Sequence, residues 1–346
     1  MKFSTSELIQ FAKAALQAHN VPTEDAQITA VSLVQADQRG ITSHGLLRLP
    51  LYVKAIVAGG INPVPNVKIA TPDAATTTID GDKGLGQVVM RETVNWAAQS
   101  AQNHGVSVAA VENSSHYGAG AFWTDRLAAA GLVSFLTSST GPVVAPYGGR
   151  NKILGTNPLT IAMPSAGAHP LTVDMATSAG AYGKVMAAKQ AGTQIPEGWA
   201  VDREGNPTVD PAEAAQGALL PFGGHKGSGL SVLLEGLAAG LSSAAYAFKK
   251  EDIWDNPASA MNNGHFLITI NPGQLNGREA AEQKVGQLQA AVQESGPNAV
   301  SPGQYEYDNE KSNEHTLQLT DSQIEPLQKL ATEIGVEFPK EASEIA

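Results

Sequence analysis

Between residues 106 and 139 the chain alternates in kind: an apolar run "VSVAAVEN", a glycine-rich turn "SSHYGAG", a helical pattern "AFWTDRLAAAG", and a second apolar run "LVSFLTSS". Each apolar run has strand length, and together they read as strand–helix–strand. That order resembles a βαβ unit and predicts a sheet covered by helices, hence an α/β fold. The turn itself, Asn113 to Phe122, holds Gly118 and Gly120. A dinucleotide fingerprint wants a third glycine three residues further on, where this chain has Trp123. The turn is a degraded Rossmann loop, an ordinary tight turn, or a histidine-bearing site of another kind.

The remaining pattern fits the same class. Two amphipathic helices open the chain at about 4–19 and 23–39, with Ser4 and Glu7 as a capping box and Thr23 as the second N-cap. "TSHGLLRLPLYVKAIVAGG" is helical in pattern, and Pro50 makes its first turn irregular. "VKIATPDAATTTIDG" suits a strand pair, and residues 87–103 suit a helix. Strands follow at "PLTIAMPS", "PLTVDMAT" and "GHFLITINP", with a short helix from Ala181 to Gly192 and a turn-rich stretch "GWAVDREGNPTVDP". Gly223–Gly229 leads into a helix that lines up Leu230, Leu233, Leu234, Leu237 and Leu241 on one face. Further helices are expected at 278–294 and 320–335, the latter capped by Thr320 or Asp321, with a polar loop over 297–316 and a loosely held tail after Phe338. These elements predict one domain over 1–346, with a helical portion over about 1–60 and a cofactor-binding core over about 105–270.

Composition narrows the function. With no cysteine among 346 residues, disulfides, thiolate nucleophiles and Cys-ligated metals are excluded, and a cytoplasmic location is the default expectation. A net charge of −11 with no basic cluster argues against nucleic acid and anionic membranes as partners. No run approaches the ~18 apolar residues of a membrane span, and the amphipathic N-terminus does not read as a signal peptide. An acidic protein that binds an anionic ligand needs local cations, so single Arg and Lys residues near turns become informative.

Of the eight histidines, His44 in "TSHGLLR" and His116 in "SSHYGAG" each follow a serine in a small-residue turn. Imidazole is the side chain suited to moving a proton near neutral pH, as interconversion of an alcohol and a carbonyl requires. Arg48, four residues after His44, shares a helical face with it and could hold an acid group in a two-pronged pair. "GGHKGSG" puts Lys226 where a helix begins, which suits a pyrophosphate. The blander alternatives are a hydrogen-bonded turn histidine, a surface Arg and a solvated Lys. No two histidines stand three or four apart and no Gly-x-Ser-x-Gly turn occurs, so neither a metal site nor a serine nucleophile is supported.

In chain order, "ADQRGITSHGLLRLPLYV", "NSSHYGAGAF", "VAPYGGRNKILGTNPLTIAMPS", "VDMATSAGAYGKV", "IPEGWAVDREGNPTVDP" and "LLPFGGHKGSGLSVLLE" resemble the malate/L-lactate dehydrogenase family that lacks a Rossmann domain. The resemblance runs from about residue 5 to 305 and makes "NSSHYGAGAF" a family-type histidine turn. It implies a non-Rossmann NAD(P)-binding α/β fold: a mixed sheet covered by helices. It also implies hydride transfer between a 2-hydroxy acid and its 2-keto acid, with NAD, or NADP, as cofactor. Oxidation of ureidoglycolate and reduction of a cyclic imine acid are the alternative activities. A homodimer with a shared active site is implied as well. By the same resemblance His116 or His44 is the proton carrier; Arg48, Ser43, Thr156 and Asn157 belong to the substrate side. Thr140, Pro142, Asp174, Met175, Ala176 and Lys226 belong to the cofactor side. The chain departs from the family pattern at "SPGQYEYDNEKSNEHTL", where Gln304 stands for the usual Glu of "PGE" and no Arg follows.

Overall fold

The computed structural model describes residues 1–342. In chain order its strands are β1 (Lys2–Ser4), β2 (Lys68–Ile69), β3 (Thr76–Gly84), β4 (Val106–Ser114), β5 (Val133–Ser138), β6 (Leu159–Met163), β7 (Leu171–Met175), β8 (Ala200–Val201), β9 (Pro207–Thr208), β10 (Ala218–Leu219), β11 (Asn263–Ile270) and β12 (Thr316–Gln318). The helices are α1 (Thr5–Gln17), α2 (Thr23–Gln38), α3 (Leu49–Ala58), α4 (Gly86–His104), α5 (Ala121–Ala129), α6 (Tyr182–Ala191), α7 (Pro211–Gln216), α8 (His225–Gly240), α9 (Arg278–Glu294), α10 (Gln304–Ser312) and α11 (Asp321–Ile334). Two 3-10 turns, Thr42–His44 and Leu46–Arg48, lead into α3, the irregular entry that Pro50 predicts.

The main sheet has seven strands in the order β2-β3-β4-β11-β5-β6-β7. Only β3 and β4 pair in parallel; the other neighbours are antiparallel. The expected βαβ unit is present but split. Strands β4 and β5 flank α5 in sequence, yet β11 lies between them and is antiparallel to both. Beneath the sheet, Ile79, Met90, Trp96, Val111, Trp123, Leu136 and Leu267 form one apolar core. A second core joins α1, α2, α3 and α11 through Leu8, Leu16, Leu33, Tyr52 and Leu327. A third and smaller one, around Val144, Val185, Ile195 and Leu219, underlies the three-stranded sheet β10-β8-β9.

Several expectations change. Helix α2 is capped by Pro22, without a side-chain bond, and Thr23 is its first residue. Ser4 accepts the Glu7 N–H as an N-cap should. The stretch "GWAVDREGNPTVDP" contains the β8–β9 hairpin. Residues 297–316 are not all loop: α10 occupies Gln304–Ser312 and β12 begins at Thr316. Polar tethers hold α10, with the Arg39 guanidinium on Glu310 at 2.7 Å and the Gln38 amide on the Asn313 carbonyl at 2.9 Å, so no apolar period announces it. On α8 the leucine stripe is turned outward: Leu233 and Leu241 are 68% and 54% exposed, while Ser231, Leu234, Ala238 and Ala239 are buried. Of the tail after Phe338, Ala342 donates its N–H to the Lys2 carbonyl at 2.8 Å, and residues 343–346 lie outside the described residues.

Candidate active site

The first half of the site is the turn between α2 and α3. Asp37, buried in the last turn of α2, accepts the Leu46 N–H at 2.7 Å and the Gln323 amide at 3.2 Å. Burial pushes its carboxyl up to about 7, against the pull of those two bonds. The tether fixes the Thr42–Arg48 segment on the helix bundle and so presents His44 and Arg48. The second half is the "SSHYGAG" turn at the end of β4, which presents His116.

These two halves meet. The His44 and His116 rings stack with centroids 5.3 Å apart and planes at 30°. His44 Nδ1 lies 2.9 Å from the Ser43 hydroxyl. His116 Nδ1 lies 2.6 Å from the Tyr52 hydroxyl and receives the Gly118 N–H at 3.3 Å. Burial and the nearby Arg48 charge push His44 down to about 4. Burial, Arg48, His44 and His265 together hold His116 well below the ordinary imidazole value. Both rings are therefore neutral at pH 7.

Arg48 donates its Nε–H to the Ser43 carbonyl at 2.6 Å, and its guanidinium sits 4.4 Å from the centre of the Trp254 ring. Among the described residues no carboxylate lies within ion-pair distance of it. A largely desolvated guanidinium with no carboxylate in contact, Asp252 acting on it only from beyond ion-pair distance, beside two neutral imidazoles, is a receptor for an anion.

The glycine turn is not a phosphate cradle. Asp174, on β7, accepts the Ala121 N–H at 2.8 Å and the Thr160 hydroxyl at 2.8 Å, so a protein carboxylate already caps the start of α5. A Cβ at Gly120 would lie 2.1 Å from Thr160 Oγ1, and only glycine permits this close approach. Met175 and Ala176 follow on the exposed edge of β7. Beside Asp174 a cavity of about 350 Å³ opens between β7 and the 300–307 segment, with Thr172, Pro302, Gly303 and Tyr305 in its walls. Arg39, which also lines it, is engaged by Asp125 and Glu310, each at 2.7 Å.

The other expected residues separate by burial. Thr140 accepts the Thr156 N–H at 2.9 Å, which pins the loop after β5, Pro142 included, to the loop before β6. Asn157 is fully buried and donates its amide to the Ser231 carbonyl of α8 at 3.1 Å, so it shapes the cleft from behind. Lys226 is exposed in the first turn of α8, whose N-terminus has no side-chain cap. Among the described residues no group of three or more His, Asp and Glu is placed to hold a metal, and no helix is long and apolar enough to cross a membrane.

Four polar residues near the site have no obvious mark in the sequence. Buried His265 bridges β4 and β5 through Ser114 at 2.8 Å and Ser138 at 2.9 Å, and burial drives it down to about 3. Lys250 donates to the Ser139 carbonyl at 2.9 Å and to the Asn263 side chain at 3.0 Å, and burial lowers it to about 7. Tyr52 and Gln87, fully buried, stand behind His116. For Tyr52 one signal existed: it follows Arg48 by four residues and shares its helical face.

Comparison with known proteins gives a consistent result. The profile of the family described as malate/L-lactate dehydrogenase matches residues 3–328. L-sulfolactate dehydrogenase of Methanocaldococcus jannaschii is 38% identical over 325 residues, 93% of this chain and 94% of that protein. The solved structure of sulfolactate dehydrogenase from the same organism superposes with a TM-score of 0.91 at 36% identity, covering 97% of this chain and 98% of that one. Malate dehydrogenase from Pyrococcus horikoshii OT3 gives a TM-score of 0.87 at 32% identity, covering 97% and 96%.

Proposed function

The chain belongs to the malate/L-lactate dehydrogenase family, and on that premise we propose that it transfers hydride between a 2-hydroxy acid and its 2-keto acid with a nicotinamide dinucleotide as partner. The observation that carries this reading is the stacked pair of neutral histidines beside an Arg48 that, among the described residues, has no carboxylate within ion-pair distance. When bound, the nicotinamide accepts or supplies the hydride. Arg48 holds the substrate carboxylate and so fixes which face of the reacting carbon is presented. His116 takes the hydroxyl proton in the oxidative direction and returns one to the carbonyl oxygen in the reductive direction. Ser43, through its hydrogen bond to His44, keeps the second imidazole oriented over the first.

The residues present suit the cofactor. Lys226 at an uncapped helix start favours a pyrophosphate. Thr140, Pro142, Met175 and Ala176 belong to the cofactor side by the family resemblance, and the cavity beside Asp174 has the size for a small ring system. With Arg39 neutralised by Asp125 and Glu310, the cavity presents carboxylates and no free guanidinium, which favours NAD over NADP. Calorimetric titration tests this: NADH should bind at least about tenfold more tightly than NADPH, and the reverse order would overturn the assignment. The exposed Val232 and Leu233 of α8, with Leu241 just past its end, suit a homodimer interface. The absence of cysteine suits a cytoplasmic setting.

The deciding experiment follows nicotinamide absorbance against pyruvate, oxaloacetate, sulfopyruvate and a cyclic imine acid, with ureidoglycolate oxidation run in reverse. His116→Gln should lower kcat by roughly 10²-fold or more. Arg48→Ala should raise KM by about tenfold or more. Normal turnover in the His116 variant, with loss in His44→Gln, would transfer the proton to His44; the Ser43 bond to His44 Nδ1 is the observation behind that second reading.

A further inference from the structure

We propose that Asp252 is a specificity-determining residue that restricts the substrate to acids with a single negative charge. These are 2-keto and 2-hydroxy monocarboxylates whose distal end is neutral or cationic; dicarboxylates and sulfo-acids are disfavoured. The inference deepens the reading of Arg48 as the carboxylate clamp and rests on it. It starts from how little of Arg48 is left for a ligand. The Nε–H is spent on the Ser43 carbonyl at 2.6 Å, and the Trp254 ring covers one face of the guanidinium at 4.4 Å. The two terminal nitrogens remain, and together they make one two-pronged seat for one carboxylate. Once that seat is filled, a second anionic group on the same small molecule needs another cation.

A carboxylate stands there instead. Trp254 lies in the segment between α8 and β11, and its backbone N–H is held by Asp252 Oδ1 at 3.1 Å. The ring that covers Arg48 is thus anchored on Asp252. The other oxygen, Oδ2, faces Gly141, where an added Cβ would lie 2.8 Å from it. Gly141 is flanked by Thr140 and Pro142, both assigned to the cofactor side. Half-buried Asp252 therefore borders the interval between the acid clamp and the cofactor side, which a bound acid has to span. The charges that reach it are those of Arg48, Lys250 and Asp255. Lys250 cannot serve a second anion. Its ammonium has three protons, and they go to the Ser139 carbonyl at 2.9 Å, the Ser139 hydroxyl and the Asn263 side chain at 3.0 Å. His44 and His116 are neutral. One free guanidinium edge, one fixed negative charge and an ammonium already committed make a seat for a monoanion. A second negative charge is repelled by Asp252 in this partly desolvated place, whereas an amide, a methyl group or an iminium is not.

The test gives the intact protein, with NADH, a pair of 2-keto acids of nearly equal shape and different charge: oxaloacetate and its neutral-ended amide, 2-oxosuccinamate. In the parent kcat/KM should be at least about tenfold higher for the amide. Asp252→Asn keeps an acceptor for the Trp254 N–H and removes the charge. It should shift that ratio towards the diacid by about tenfold or more, mainly through the KM of oxaloacetate. Asp252→Ser offers a hydroxyl to the same N–H and should shift the ratio the same way, so the proposal stays testable if the Asn variant folds poorly. A merely structural role for Asp252 would affect both acids alike and leave the ratio where it was. A parent that uses oxaloacetate as well as the amide would overturn the proposal, as would an unaltered ratio in the variants. If neither acid is reduced, the hydride-transfer reading has failed, whereas calorimetric binding of the two acids to the NADH-loaded protein still judges Asp252: tighter binding of the amide supports its role, and tighter binding of oxaloacetate overturns it.

Discussion

At the scale of single residues, Asp174 decides what the glycine turn can be. A phosphate loop offers bare N–H groups at a helix start, and here a carboxylate already fills that place. Asp174→Ala should cost about 1 kcal/mol of stability through loss of the cap, measured by urea unfolding; no change would mean water replaces it without penalty. His265 makes a second prediction. Its folded value is about 3, against an ordinary 6.5, so below pH 6.5 the unfolded chain takes up a proton that the folded chain refuses. Stability should therefore fall as pH drops from about 6.5 towards about 3, and His265 should add no slope above that window. Partly exposed His44 adds in the same direction, over 6.5 down to about 4. His265→Asn should flatten the curve between pH 6 and 4 in unfolding experiments, and parallel curves for the two proteins would refute the assignment.

At the scale of elements, the Thr42–Arg48 turns depend on one tether. Asp37→Ala leaves the Leu46 N–H and the Gln323 amide without their acceptor, and should cost about 1–3 kcal/mol. The same change should raise KM, because the Arg48 segment loses its anchor. Asp37→Asn keeps an acceptor for Leu46 but sets its own N–H against the Gln323 amide, so it should preserve KM and lose only part of the stability, and equal damage to KM from the two variants would point to charge instead of geometry. Elements with an apolar period were legible from sequence: the expected 278–294 helix is observed over those residues, and the "GHFLITINP" strand overlaps all of β11 but its first residue. Two failures have physical causes. Helix α10 is held by ion pairs and amides, which leave no period. The leucines that line up on one face of helix α8 do not mark its inner side, because it meets the sheet largely through small residues. Gly264 on β11 approaches so closely that a Cβ there would lie 2.0 Å from the Ala238 carbonyl. Small side chains and Leu234 take the inside, and Leu233 and Leu241 are left outside. Of the proposed site, His44, His116 and Arg48, which the structure brings together, carry local signals: turn histidines and an i,i+4 arginine. Tyr52, Gln87, His265 and Lys250 act through partners distant in sequence, which no window contains.

At the scale of the whole molecule, the outward leucines predict assembly. Leu233→Glu should convert a homodimer of 35.9 kDa chains into monomer by light scattering; a parent that is already monomeric would remove α8 as an interface. The split sheet has a consequence of a different kind, for the order of events at the ribosome. Strands β4 and β5 are complete when residue 138 has been synthesised, but the strand that joins them begins at Asn263. Until then both inner edges are unpaired, and the nascent chain carries a sheet open at its centre. The last third of the sequence is thus the keystone of the first, and folding waits for it.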